Sequence, residues 1–188
     1  MNEIAFILGL IIHAFFFAMA ASSISNDNFQ FWPPPNRNTW QYHSLWSGVR
    51  ALVLCIAFLI YSNNSTFALP HWLRFYFAMP GFIILFCLGS ISAIQLGWNN
   101  THGEASHFVT TGFYKYSRNP QYIFFSISFL LLGIWSASLK AFVLLLLSSA
   151  LYLAAPFPEE KWLQKQYGKA YEEYKKRVPR YFPFFKHA

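Results

Sequence analysis

The chain has 188 residues, 55% hydrophobic, 21% aromatic and only 11% charged, with a mean hydropathy of +0.30, a balance that excludes an ordinary soluble domain and points to a polytopic membrane protein. Its net charge of +7 falls beside apolar segments and not on a soluble module, so anionic lipid headgroups are the expected counter-charge and nucleic acid is not. Cys55 and Cys87 both lie inside apolar runs, which suggests neither a disulfide framework nor a zinc site.

In chain order, Ile4 to Ala21 is apolar enough to cross a hydrocarbon core of roughly 30 Å and forms the first expected span. A cleavable signal peptide is the competing reading, and Ala18-Met19-Ala20 resembles a cleavage site. However, the preceding segment carries Glu3 and no Lys or Arg, which argues against it. Ser22 to Ser44 is polar, studded with aromatics and interrupted by Pro33-Pro34-Pro35; it is expected to be a stiff interfacial loop, or a lid over a site on the same side. Leu45 to Ser62 makes the second span, with Arg50 able to snorkel. After a short turn through Pro70, Trp72 to Gln95 makes the third, with a kink expected at Pro80-Gly81.

A long polar connection follows, Leu96 to Tyr122, of a length that is usually functional. Ile123 to Trp135 and Leu139 to Ala155 are separated only by Ser136-Ala137-Ser138, a pattern predicting a tight hairpin as spans four and five. Both are short for a membrane crossing, so tilt or burial against other spans is expected. From Pro156 to Ala188 the chain is charged, and Leu163, Tyr167, Tyr171 and Tyr174 recur at helical spacing, predicting an amphipathic helix on the membrane surface. The expected fold is therefore all-α, a single membrane domain over residues 1–188 with five transmembrane helices.

Five spans place twelve of the 14 Lys and Arg on the side of the C-terminal tail, leaving Arg74 and Lys140 opposite. By the positive-inside rule the tail, the proline-rich loop and the connection before the hairpin face the cytoplasm. The polar chemistry concentrates there, in Gly112-Phe113-Tyr114-Lys115-Tyr116-Ser117-Arg118-Asn119-Pro120-Gln121-Tyr122. Asn119 is a good N-cap and Pro120 suits a first helical turn, building a helix start that favours an anion. The hairpin should return Glu159 and Glu160 to this block. His102 and His107 lack the partners a metal site needs. No phosphate loop, dinucleotide fingerprint or nucleophile elbow is visible.

Taken in order, Gly112-Phe113-Tyr114, Arg118-Asn119-Pro120-Gln121-Tyr122, the apolar hairpin, Glu159-Glu160-Lys161-Trp162-Leu163, Tyr167-Gly168, Tyr171, Tyr174 and Val178-Pro179-Arg180 resemble the integral-membrane methyltransferases. This superfamily comprises the isoprenylcysteine carboxyl methyltransferases and the phospholipid N-methyltransferases. The resemblance implies S-adenosylmethionine held by the loop before the hairpin and the segment after it. It also implies an acceptor, a lipid or a small hydrophobic thiol, carboxylate or amine, that arrives from the bilayer. Two positions depart from the family pattern: Asn119 stands where a histidine is usual, and Ser106, with His107 beside it, stands where another is frequent. The resemblance therefore carries no histidine-based step. The N-terminal half, with Phe31-Trp32-Pro33-Pro34-Pro35, is more similar to bacterial members, which implies a bacterial inner membrane.

The residues themselves suit that cofactor. Arg118 can fork onto a carboxylate, one of Glu159 and Glu160 can pair with an ammonium or ribose hydroxyls, and Tyr114, Tyr122 and Trp162 can flank the adenine or sulfonium. The expected catalytic residues are Arg118, Glu159 and Glu160. Those expected to hold the cofactor are Gly112, Tyr114, Arg118, Asn119, Pro120, Tyr122, Glu159, Glu160 and Trp162. Each has a structural reading too: Arg118 as a positive-inside anchor, the glutamates as helix-dipole partners, the aromatics as belt residues, and Gly112 as a turn former. Two rival functions stand beside methyl transfer. One is an NADPH-dependent sterol or isoprenoid reductase with a similar hairpin; the other is a non-catalytic membrane lipid-binding protein.

Overall fold

The structure, a computed structural model, describes residues 1–62, 67–101 and 108–181, apart from the side chains of Trp98 and Asn99. Among these residues every regular element is helical and no strand occurs. The first helix, α1 (Asn2–Ser25), outruns the apolar stretch because Ser22 accepts from the Asn26 N–H and Ser23 folds its hydroxyl back onto Met19 O. α2 (Trp40–Tyr61) starts five residues before Leu45, since Thr39 caps it by accepting from the Tyr42 N–H. The proline-rich connection is thus shorter than polarity alone suggests.

Before Pro80 the winding of the helix changes. The chain winds as a π-helix over Leu73–Ala78, in which the Met79 N–H bonds Arg74 O, and then continues as α3 (Met79–Leu96). Proline cannot donate to the preceding turn, and the wider winding just before it reorders the hydrogen bonds at that point. A short helix, α4 (Trp98–Thr101), and a 3₁₀ turn (Gly112–Lys115) lie in the connection. α5 (Pro120–Ser136) and α6 (Leu139–Ala154) are joined by Ala137 in the left-handed region, φ 52°, and by Ser138, which caps α6.

Among the described residues, four helices are long and apolar enough to cross a membrane: α1, α2, the Leu73–Leu96 pair, and the run that begins with α6 at Leu139; α5, with 17 residues, is shorter. The outward faces of α1, α2 and α3 expose Ile4, Ile7, Ile11, Val53, Leu54, Ile84 and Ile94. Apolar faces of this extent belong in lipid.

α5 lies between α3 and α6, and α6 in turn contacts α1 and α2. Reciprocal bonds from Ser126 Oγ to Ser149 O (3.2 Å) and from Ser149 Oγ to Ser126 O (3.0 Å) join α5 to α6. His13, 1% exposed, joins α1 to α6 by meeting Ser148 Oγ at 2.9 Å. In lipid such bonds and close packing, rather than water exclusion, hold helices together. At one end of the bundle Lys140 pairs with Glu3, and Arg74 Nε donates to Trp135 O at 2.9 Å. At the other end Lys161 bonds Asp27 at 2.9 Å.

The last helix, α7 (Pro156–Arg177), is broken at Gly168, whose φ of 49° and ψ of −123° are non-helical. Its aromatic stripe does not face the membrane surface as the sequence suggests. Leu163, Tyr167, Tyr171 and Tyr174 close on Phe108 and Val178 in a small core of the protein's own making. An apolar stripe needs cover, and a facing aromatic supplies it as well as lipid does. The break lets residues on both sides of Gly168 reach Phe108. Gly168→Ala meets no atom within 4 Å, so its effect is the backbone strain alone, about 1–3 kcal/mol. A thermal melt in detergent should show a lowered midpoint.

Candidate active site

The cleft forms at the end of the bundle where α5 and α7 begin. Ser117, Arg118 and Asn119 run beside residues 179 and 180: the Arg118 N–H donates to Pro179 O at 3.0 Å and Ser117 Oγ to Arg180 O at 3.2 Å. Two arginines then converge on Glu160. Arg118 Nη2 lies 3.0 Å from Glu160 Oε1, while Arg180 is bidentate, Nε at 3.1 Å from Oε1 and Nη2 at 2.8 Å from Oε2. Asn119, rather than capping α5 with its side chain, donates to Arg180 O at 3.1 Å and to Glu160 Oε1 at 3.5 Å. The Glu160 carboxylate and the Arg180 carbonyl draw the Asn119 amide toward themselves and away from the helix start.

Glu159, adjacent in sequence, has different neighbours. Tyr122 Oη donates to its Oε2 at 2.5 Å, and Trp32 Nε1 donates both to that Tyr122 oxygen, at 3.0 Å, and to Oε2, at 3.3 Å. Burial pushes the Glu159 carboxyl up from 4.5 to about 7, aided by the charge of Glu160 and opposed by the bonds from Tyr122 and Trp32. Tyr114 is held between Ser92 O, to which its hydroxyl donates at 3.3 Å, and Tyr174, whose hydroxyl donates to Tyr114 O. Gly112 makes this possible: its φ is +62°, and an added Cβ would stand 2.5 Å from Gln95 Oε1, which accepts from the Phe113 N–H.

These groups surround a narrow cleft of about 50 Å³, lined by Tyr114, Arg118, Asn119, Gln121, Tyr122, Glu159, Trp162, Leu163, Phe108, Tyr167, Tyr171 and Tyr174, among others. Phe108 stacks on Tyr167, with centroids 4.9 Å apart, and meets Tyr174 edge-on at 5.4 Å. Burial raises the Tyr171 and Tyr174 hydroxyls above the ordinary phenol range, so both are neutral. Three buried polar atoms of the lining have no partner among the described residues: Arg118 Nε, Gln121 Oε1 and Tyr171 Oη. Buried polar atoms are rarely left unpaired.

Of the residues singled out by sequence, Tyr114, Arg118, Asn119, Tyr122, Glu159 and Trp162 line the cleft, whereas Gly112, Pro120 and Glu160 do not. Gly112 shapes the 3₁₀ turn, Pro120 opens α5, and Glu160 is occupied by the arginines. Sequence reasoning left out Trp32, Phe108, Gln121, Tyr171, Tyr174 and Arg180. The tyrosines stood in the helical stripe, and Arg180 and Trp32 stood in motifs already quoted; Gln121, polar in the first turn of an apolar helix, carried the plainest overlooked signal. Ser106, His107 and His102 lie outside the described residues.

A family model described as phospholipid methyltransferase matches residues 73–170, just over half of the chain. No curated protein and no solved structure matches it.

The proton affinity of Glu159 makes a pH prediction. Its folded value lies above the unfolded one, so its contribution to stability is fully present below about 4.5 and is lost as pH rises through about 7. Thermal midpoints should therefore fall over this interval in the wild type, and Glu159→Gln should flatten that part of the profile. An unchanged slope would remove Glu159 as the cause.

Proposed function

The chain belongs to the phospholipid methyltransferase family, and we propose that its cleft binds S-adenosylmethionine for methyl transfer to a membrane-associated acceptor that gives up a proton, an amine or a thiol. The observation that carries this reading is the set of unpartnered atoms at the cleft, Arg118 Nε, Gln121 Oε1 and Tyr171 Oη. Two are donors and one is an acceptor, the complement of an amino acid's carboxylate and ammonium. When bound, the cofactor supplies an electrophilic methyl group on a sulfonium, set for in-line displacement.

The chain's own residues bind and orient. Arg118 and Tyr171 donate to the carboxylate, and Gln121 accepts from the ammonium. Trp162 and the stacked pair Phe108 and Tyr167 offer flat faces to the adenine and to positive charge, a contact of about 0.5–2 kcal/mol. Glu160 holds Arg118 in place instead of touching the cofactor. Glu159 is the carboxylate left to take the acceptor's proton, and a carboxyl that titrates at about 7 matches that task. Alignment of donor and acceptor supplies most of the remaining acceleration.

The same reading extends to the membrane. α5, buried between α3 and α6, acts as a fifth, short span, and its 17 residues rise about 26 Å. The cleft then opens at the cytoplasmic face, where most of the positive charge gathers. A soluble cofactor and a lipid-borne acceptor meet there.

Calorimetric titration of detergent-purified protein with S-adenosylhomocysteine and, separately, NADPH tests this. Micromolar binding of the nucleoside is expected. Tyr171→Phe should weaken it about tenfold, about 1.4 kcal/mol, without lowering the thermal midpoint of the ligand-free protein, because an unpartnered buried hydroxyl stabilises nothing. Arg118→Ala should weaken it at least as much. Binding of NADPH alone would replace this reading with the reductase, and binding of neither with the lipid-binding protein.

A further inference from the structure

We propose that Trp32, in the connection between α1 and α2, is a positioning residue for Glu159: its indole N–H fixes the orientation of that carboxylate and the direction of the hydrogen-bond chain that serves it. The two residues are 127 apart in sequence. The inference rests on the methyl-transfer reading only for the use to which the proton is put.

The geometry carries it. Trp32 Nε1 stands 3.0 Å from Tyr122 Oη and 3.3 Å from Glu159 Oε2, and Tyr122 Oη donates to the same Oε2. A tyrosine hydroxyl can donate or accept and turns to suit its partner. An indole N–H only donates. Trp32 therefore fixes the sense of the chain, from indole to phenol to carboxylate, and favours the state in which Glu159 is ready to receive a proton.

The segment bearing Trp32 is built to hold it there. Phe31, 3% exposed, packs among Phe16, Leu52 and Trp40, and its N–H donates to Ser23 Oγ at 2.9 Å. Pro33 is fully buried. Lys161, two residues beyond Glu159, bonds Ile24 O at 2.6 Å and Asp27 at 2.9 Å, so α7 and the connection are tied together beside the contact. The other titratable groups acting on Glu159 are Tyr122 on α5, Tyr114 on the 3₁₀ turn, and Glu160 and Tyr171 on α7. The two groups that hydrogen-bond its carboxylate, Tyr122 and Trp32, are neutral donors, and Arg118, which lines the same cleft, is paired with Glu160.

An aromatic anchor at the membrane boundary would need the ring and not the N–H, and this separates the two roles. In ¹⁵N-labelled protein in detergent, one of the seven indole N–H resonances should move with pH in step with the Glu159 carboxyl, followed by infrared titration. That movement should vanish in Glu159→Gln. In Trp32→Phe the same resonance should be missing, and the carboxyl midpoint should rise by at least about half a pH unit. Trp40→Phe, in the same aromatic cluster but 54% exposed, should leave the midpoint where it was. If no indole resonance follows the carboxyl, the proposal is overturned, and wild type and Glu159→Gln decide this even where Trp32→Phe does not fold. An unshifted midpoint in folded Trp32→Phe overturns it too. S-adenosylhomocysteine titrated into the same samples separates the two readings: failure to bind removes methyl transfer and leaves a titrating indole standing, whereas binding beside a silent indole removes only the role of Trp32.

Discussion

The Glu160 carboxylate, shared by Arg118 and Arg180, is the contact on which the site depends. It joins the residues before α5, the start of α7 and the segment that follows α7, and Asn119 bridges the same three pieces through Glu160 Oε1 and Arg180 O. Side-chain exposures of 7% for Glu160 and 10% for Arg118 put the pair in a poorly solvated place. There a complete pair adds little over an apolar substitute, but losing one member strands a buried charge. The pairing therefore acts as a register device. With Nη2 committed to Glu160 and Nη1 bonded to Lys175 O at 3.4 Å, the guanidinium has one orientation, and Nε is the nitrogen left without a partner. The cleft is shaped before any ligand arrives.

That shape rests in turn on a central pair of helices built differently from the rest. The apolar windows of α1, α2 and Leu73–Leu96 are each 17% buried within the protein, whereas the window beginning at α6 is 39% buried. The outer helices spend their apolar surface on lipid. α5 and α6 instead bury Ser126, Ser128, Ser136 and Ser149, small residues whose hydroxyls bond backbone carbonyls across and within the pair. Gly133 lets the backbones approach: a Cβ there would lie 3.3 Å from Phe142 Cα. Because α5 carries Tyr122 and α6 leads into Glu159, a slip of one along the other would part the two groups.

Hydropathy made the helices legible, since it reports how deep a residue lies, and the ordered block from Gly112 to Arg180 made the neighbourhood of the cleft legible. Neither reports which partner a side chain chooses. The helix ends run past the apolar stretches, because Ser22 to Ser25 and Trp40 to Ser44 are helical despite their polar residues, held by local bonds and by the Thr39 cap. Helical spacing shows that the stripe of α7 is apolar and not what covers it. Phe108, far off in sequence, is the cover. Trp32 lies in a polar stretch, and the burial of Phe31 and Pro33 on either side of it accompanies the reach of its indole to Glu159.

The adjacent glutamates are the sharpest case. A motif of two carboxylates leaves open which binds and which reacts, yet neighbours on a helix point about 100° apart and so meet different surroundings. Glu160 meets two guanidinium groups, which compensate its charge and fix its place. Glu159 meets a phenol and an indole, which orient it and add no positive charge, so burial dominates and its proton can come and go near neutrality. Exchanging the surroundings would undo both tasks: a carboxylate under two arginines is a poor proton acceptor, and one held only by neutral donors is a poor anchor for Arg118. The chemistry of the cleft therefore turns on the direction of two successive side chains, set by the start of α7 at Pro156.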